Sequence, residues 1–237
     1  MSINPNSEDV QLNNLLNANK PYTFSVNRST LVEQARQVWN DVADLEADFC
    51  PDNFAQASIT MHPAYSSRTD FPDKFLQHCG LFCVGTRKVS VFPRISMISD
   101  DPQEENSIAI IVLAKRQTYQ ALAGQLEKIE EPSLVGQQFM TIESIEAVTA
   151  YDRMNVPNDY FTNIYLVGLY VRPGMTVDES RKEFIEYAKK NGFEVNPDFN
   201  FEKDGLYYTL IKGERYKLDC ISENPFVSCI EVPPLKV

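Results

Sequence analysis

The sequence predicts an α+β protein: two ferredoxin-like (split βαβ) units, antiparallel sheets with helices on one face, preceded by an N-terminal helix. Two observations predict the first unit. Strand-like and helix-like segments follow one another from about residue 56 to residue 150 in the order strand, helix, strand, strand, helix, strand, the sequence of a split βαβ arrangement. A helical repeat of apolar residues precedes them. The second unit is predicted because a related order begins again after the loop AYDRMNVPNDYF. With 237 residues, 43% of them hydrophobic and 11% aromatic, the chain has the material for a core in each.

Residues 1–28 are polar and rich in Asn and Ser, and are expected to form a lead-in. Leu31, Ala35, Val38, Val42 and Leu45 then recur every three or four positions, which predicts a helix over 30–48. Ser29 or Thr30 would cap it, with Glu33 three residues after Thr30 as a capping box requires. Cys50-Pro51 would end it. Gln56–Pro63 reads as a strand, with β-branched Ile59 and Thr60 at its centre. Phe71-Pro72 opens a short helix that turns Phe75, Leu76 and Cys79 inward and closes at Gly80. Val89, Val91 and Phe92 mark a second strand, and SMISDDPQEEN a polar, acidic loop. SIAIIVLAK is a continuous apolar run suited to the middle of a sheet. RQTYQALAGQLEKIEE predicts a helix with Tyr119, Leu122, Leu126 and Ile129 on one face, and QQFMTIESIEAVTA the closing strand.

In the second half NIYLVGLYV predicts a strand and Arg172-Pro173-Gly174 a turn. Thr176–Asn191 predicts a capped helix with Phe184, Tyr187 and Ala188 inward, ended by Gly192. LYYTLIKG and ERYKLDCIS read as a hairpin across Gly213-Glu214, with Ser222-Glu223-Asn224-Pro225 standing where a second helix would be. FVSCIEV is the last strand. The expected organisation is thus a lead-in (1–28), the helix plus first unit (29–150), a smaller α+β unit (151–231) and an extended tail (232–237), with the boundary near 151–161.

A net charge of −11 without any basic stripe opposes binding to a phosphate backbone, so no nucleic-acid partner is expected. No apolar run approaches the roughly 20 residues of a spanning helix, and the first residues lack a basic-then-apolar leader. No membrane association and a cytoplasmic location are expected. The five cysteines have no regular spacing and read as small buried apolar residues.

Candidate chemistry is sparse. His78-Cys79 and Cys83 lack the paired spacing of a zinc site. Adjacent helical residues point about 100° apart, so His78 cannot serve Cys79 as a base. The acidic pairs Asp100-Asp101, Glu104-Glu105 and Glu130-Glu131 read as solvated charge, and no glycine-rich phosphate loop exists. No enzyme activity, metal or cofactor is expected. The chain reads as a binding or regulatory domain. Its end, ENPFVSCIEVPPLKV, runs from a short strand into an extended segment whose two prolines prevent the sheet from continuing. Such a segment suits an extra strand laid in a partner's groove.

The order His62-Pro63-Ala64-Tyr65, Phe71-Pro72, Gly80-Leu81, Val84-Gly85-Thr86-Arg87 and Phe92-Pro93 resembles the N-terminal region of bacterial subtilisin-like serine proteases paired with an AAA-type ATPase. ENPFVSCIEVPPL is similar to the final prodomain strand of those proteins. The Asp-Ser/Thr-Gly, His-Gly and Gly-Thr-Ser segments of their catalytic domain are absent from this chain. The resemblance therefore implies a non-catalytic prodomain-like region. Its sheet would pack on a protease domain, in cis or in trans, while Ile230, Glu231, Val232, Pro233, Pro234 and Leu235 occupy the substrate cleft as a product-like inhibitor. It also implies control by an AAA-type ATPase in defence against phage. The alternative is a protein-binding adaptor or sensor domain that recognises an ATPase or a phage protein, with loop 99–106 in contact.

Overall fold

Thr23 starts the leading helix, seven residues before the cap read from the sequence. In the computed structural model, which describes residues 15, 19–67, 70–99, 101 and 103–234, helix α1 spans Phe24–Ala43 and the Thr23 hydroxyl accepts from the Val26 N–H. Ser29 and Thr30 lie inside the helix, their hydroxyls donating back to the Val26 carbonyl at 2.9 and 3.1 Å. Such back-bonding satisfies a hydroxyl within a helix, and so a pair that reads locally as a cap need not be one. Most of the expected 1–28 lead-in lies outside the described residues, and its last five residues are helical. The buried stripe Leu31, Ala35, Val38 and Val42 ends the helix where it ends itself. Beyond it Asp52 and Asn53 take positive φ (54° and 62°), a region open to Asp and Asn.

The chain folds into two compact units. One is formed by the chain up to Asp44 with Ala57–Ala147, the other by Leu45–Gln56 with Val148 onward. The segment around Cys50 therefore groups with the second unit, although it follows the leading helix directly in sequence.

The first unit carries β1 (Phe54–Met61, from Ala57 onward), α2 (Asp73–His78), β2 (Phe82–Val91), β3 (Glu105–Lys115), α3 (Arg116–Leu126), α4 (Leu134–Phe139) and β4 (Ile142–Ala147). Its four-stranded sheet has the order β2-β3-β1-β4, the order of a split βαβ unit. β2 and β3 pair antiparallel from Phe82↔Leu113 to Val91↔Glu105, and β1 and β4 from Ala57↔Ala147 to Met61↔Ile142. β2 is longer than its Val-rich end indicates. As an edge strand it alternates exposed and half-buried residues, which blurs the apolar signal. Ala109 to Ala114 of β3 are all buried, as the unbroken apolar run requires. Tyr119, Leu122, Leu126 and Ile129 are buried together, though α3 stops at Leu126. The last strand expected within QQFMTIESIEAVTA is β4, and Gln137–Phe139 at the start of that segment belong to α4. Ser133 caps that helix, accepting from the Gly136 N–H at 2.9 Å.

The second unit carries β5 (Met154–Asn155), β6 (Ile164–Leu169), α5 (Val177–Lys190), β7 (Glu194–Lys203), β8 (Leu206–Lys212), α6 (Leu218–Ser222) and β9 (Val227–Glu231). Its sheet has the order β5-β9-β6-β8-β7. Without the two-residue β5, which adds parallel to β9, this repeats the order of the first unit. The predicted hairpin across Gly213-Glu214 is corrected here. β8 pairs with β7 across Asp204-Gly205, both at positive φ (53° and 79°), which is the chemistry of a tight two-residue turn. Arg215–Lys217 and α6 are helical instead, because Leu218 and Ile221, three apart, both face the core. α5 has a complete capping box, with the Glu179 carboxylate accepting from the Thr176 N–H at 2.8 Å.

Two buried arginines tie this unit together. The Arg153 guanidinium donates to Gln56 Oε1 at 2.8 Å and to the Val148 carbonyl at 2.9 Å. Arg172 lies over the Phe226 ring at 4.3 Å and pairs with Asp52 at 3.1 Å.

Candidate functional site

Both helices of the second unit cover one face of its sheet. Phe184 and Ala188 of α5 and Leu218 and Ile221 of α6 pack with Tyr165, Val167, Leu169, Tyr207, Ile211, Val227 and Ile230. Strand residues of opposite parity point to the other face, on which no helix of the unit packs among the described residues, although Leu166 and Cys229 are buried there. The register places Leu166 beside Leu210, and Gly168 beside both Tyr208 and Cys229. Phe201 lies beside Tyr208, their rings stacked at 4.7 Å and 5°, and Phe199 meets Phe201 edge-on at 5.6 Å. Phe201 is 39% exposed. Gly168 lets this layer close, since a Cβ there would stand 2.8 Å from Cys229 Sγ and 3.0 Å from the Tyr208 ring. Burial pushes the Tyr208 hydroxyl up to about 12, with Cys229 and Glu231 adding to the shift. The result is an apolar, aromatic face suited to packing against another protein surface.

β9 leads from this sheet into the end of the chain. Ile230 is fully buried in the core, and β9 has β6 on one side and β5 on the other. Ile230 therefore has no free backbone edge and no free side chain for a partner. Glu231 is half-buried, on the open face beside Leu166. Val232 packs against the core, Pro233 is half-buried and Pro234 exposed. Leu235 lies outside the described residues. Of the six positions read from the sequence, Ile230 and Glu231 are paired to β5 and β6 within the sheet, and Val232, Pro233 and Pro234 follow the end of β9.

In the first unit His62 and Tyr65 belong to a buried polar cluster at the foot of the β2–β3 loop. His62 is fully buried. Its Nδ1 accepts from the Ala64 N–H at 3.2 Å, which leaves Nε2 as the donor to the Ile95 carbonyl at 2.9 Å. The Tyr65 hydroxyl donates to the Asn19 carbonyl at 2.6 Å. Next to His62, the Arg94 guanidinium reaches Glu143 Oε1 at 3.2 Å, Asn27 Oδ1 at 2.7 Å and the Glu143 carbonyl at 2.8 Å. It also stacks over the Tyr22 ring at 4.1 Å. The Tyr22 hydroxyl donates to the Glu143 carboxylate. Burial, then that bond, hold its pKa far above the ordinary tyrosine value. Both nitrogens of His62 are thus committed to backbone partners, and the charges of Arg94 and Glu143 are spent on each other.

The thiols are dispersed. Cys50, Cys79 and Cys229 are buried and Cys83 is exposed, and burial pushes the Cys79 thiol up to about 12. Among the described residues no group of three or more His, Cys, Asp or Glu stands close enough to hold a metal, and no helix is long and apolar enough to cross a membrane. No family model matches the chain, and no curated protein matches it.

Sequence reasoning missed the aromatic face. Its residues come from β6, β7, β8 and β9, and only the register brings them together. The Asp204-Gly205 pair was the one local signal that would have joined β7 to β8.

Proposed function

We propose that the chain is a non-catalytic regulatory domain of a subtilisin-like serine protease, holding the protease inactive. The observation that carries this reading is the partly exposed aromatic face of the second sheet, with a proline-stiffened segment following the adjoining strand. A sheet face offers area and shape to a protease surface. A strand continuing past it offers an extended peptide to a substrate groove. Tyr208 and Phe201 would supply anchoring contacts, as buried aromatics do at interfaces. The inhibitory segment begins at Val232 in this reading, since Ile230 and Glu231 both lie in β9 with β5 on one side and β6 on the other. Gating by an AAA-type ATPase and a role in bacterial defence rest on the resemblance of the His62–Pro93 region to such systems.

The test is titration of the purified chain into the subtilisin-like protease encoded nearest to it, followed with a fluorogenic peptide. Inhibition competitive with the peptide is expected. Ending the chain after Glu231 should weaken it, and so should Phe201→Glu. Full protease activity in excess chain would overturn the reading.

A further inference from the structure

The loop between β2 and β3 exposes apolar residues that a solvated connection does not need. Phe92 is 68% exposed, Ile95 50% and Ile98 73%. Met97 and Ile98 form one wall of a cleft, Pro63 and Ala64 another, and Gln103 to Asn106 the rest. The cleft encloses about 480 Å³, within the range of ligand-sized clefts, about 300–1,000 Å³. Exposed Glu104 and half-buried Glu105 make its lining acidic, and one carboxylate oxygen of Glu105 is buried without a hydrogen-bond donor. A buried acceptor left without a donor is unfavourable, and a donor arriving with a ligand would satisfy it.

The foot of the loop is held firmly. The Arg94 backbone N–H donates to Glu143 at 2.8 Å, the Arg94 guanidinium closes on Glu143 and Asn27, and the Ile95 carbonyl accepts from His62. An exposed apolar loop on a fixed stem loses less freedom when it is covered, which is how preorganised binding surfaces gain affinity. Arg94 at the stem is paired with Glu143, and among the described residues the cleft lining carries Glu104 and Glu105 and no lysine or arginine.

We propose that this cleft binds a cationic amphipathic segment of a partner protein. Large apolar side chains of the segment pack on Ile98 and Met97, and a lysine or arginine donates to Glu105. The proposal concerns the first unit alone and stands whether or not the second unit engages a protease.

The experiment uses the full chain and a fluorescein-labelled amphipathic peptide of leucine and lysine, read by anisotropy at low salt. Two control peptides keep its pattern, one with glutamate for lysine and one with serine for leucine. Binding of the leucine–lysine peptide alone is expected. Ile98→Ser should weaken it roughly tenfold or more, the scale of losing one anchor, and Glu105→Gln should weaken it and flatten its salt dependence. Both sites face solvent or the cleft rim, and circular dichroism checks that each variant folds. Equal binding of the serine peptide would reduce the effect to net charge and overturn the proposal. So would unchanged affinity in both variants, or no binding at all. Sedimentation velocity supplies a further arm: a dimer that Ile98→Ser turns into monomer would mean that a second copy covers this face, which also overturns it.

Discussion

Replacing Arg94 with methionine keeps an apolar stem over the Tyr22 ring and deletes the guanidinium. Glu143, its side chain only 7% exposed, then keeps its carboxylate with the Tyr22 hydroxyl and the residue 94 N–H as donors. Asn27 Oδ1 loses its donor at 2.7 Å and the Glu143 carbonyl its donor at 2.8 Å. Hydrogen bonds to a charged group contribute about 1.5–3 kcal/mol each, and breaking a buried ion pair costs about 3–5 kcal/mol. The Arg94 side chain is 28% exposed, so solvent screening lowers the sum to about 3 kcal/mol. With a urea slope of about 1–3 kcal/mol/M, the midpoint falls by about 1–3 M. The single tryptophan, Trp39, lies in α1 of the first unit, so its fluorescence follows this unit while far-ultraviolet circular dichroism follows both. Glu143→Gln keeps most of the hydrogen bonds and should lose about 1 kcal/mol. If Arg94→Met shifted the Trp39 transition by less than about 0.5 kcal/mol, the range of an ordinary surface substitution, the cluster would not hold the loop as argued.

Other measurements reach different parts of the molecule. Gly136→Ala should destabilise the first unit by about 2–4 kcal/mol. Its Cβ would stand 2.2 Å from the Glu130 carbonyl oxygen and 2.8 Å from that of Glu131, both backbone atoms. Gly124→Ala, in the last turn of α3 with nothing within 4 Å, should stabilise it by about 0.5–1 kcal/mol; urea midpoints of the two variants moving the same way would contradict this. The raised pKa of Tyr22 favours the folded state below the unfolded value of 10.0 and loses that contribution as pH rises above it. Tyr22→Phe should therefore flatten the fall in stability above pH 10.0, which melts at stepped alkaline pH would record. Iodoacetamide at mildly alkaline pH should label exposed Cys83 well before Cys79, whose thiol is held near 12; peptide mapping that finds Cys79 labelled equally fast would place it outside the core.

Segments with one unambiguous period were legible in the sequence. The face of Tyr119, Leu122 and Leu126 and the run through β3 lie where a helical repeat and an unbroken apolar stretch put them. The leading helix was misplaced at both ends because Ser29-Thr30 has the composition of a cap, and only the tertiary position of Phe24 and Asn27, both buried, extends it backward. β7 was invisible for a different reason. It is an edge strand with few buried residues, and Pro197 falls in the interval between Asn196 and Asn200 where its register slips, a bulge being a place where a strand tolerates proline. The open face could not be read at all without that strand. The end segment was legible as extended from its prolines, yet its parity was not. Ile230 faces the core because of the bulge between Gly168 and Leu169, and no local pattern announces it. Nor does any local signal mark Arg153 and Arg172 as buried, since their partners lie far away in sequence.

The shared strand order has a consequence for how the protein is made. In each unit the strand synthesised last lies against strands synthesised early: Ala147 returns to Ala57, and Glu231 to both Asn155 and Leu166. Neither sheet can be completed as its residues emerge from the ribosome, because a central strand waits for the final one. Such long-range closure slows folding. The second unit is therefore finished only when Val227–Glu231 has been made, immediately before Val232. Until then Val167 and Leu169 have no neighbour on that side, and a chain stalled or cut short of Val227 would present that open edge to chaperones and proteases.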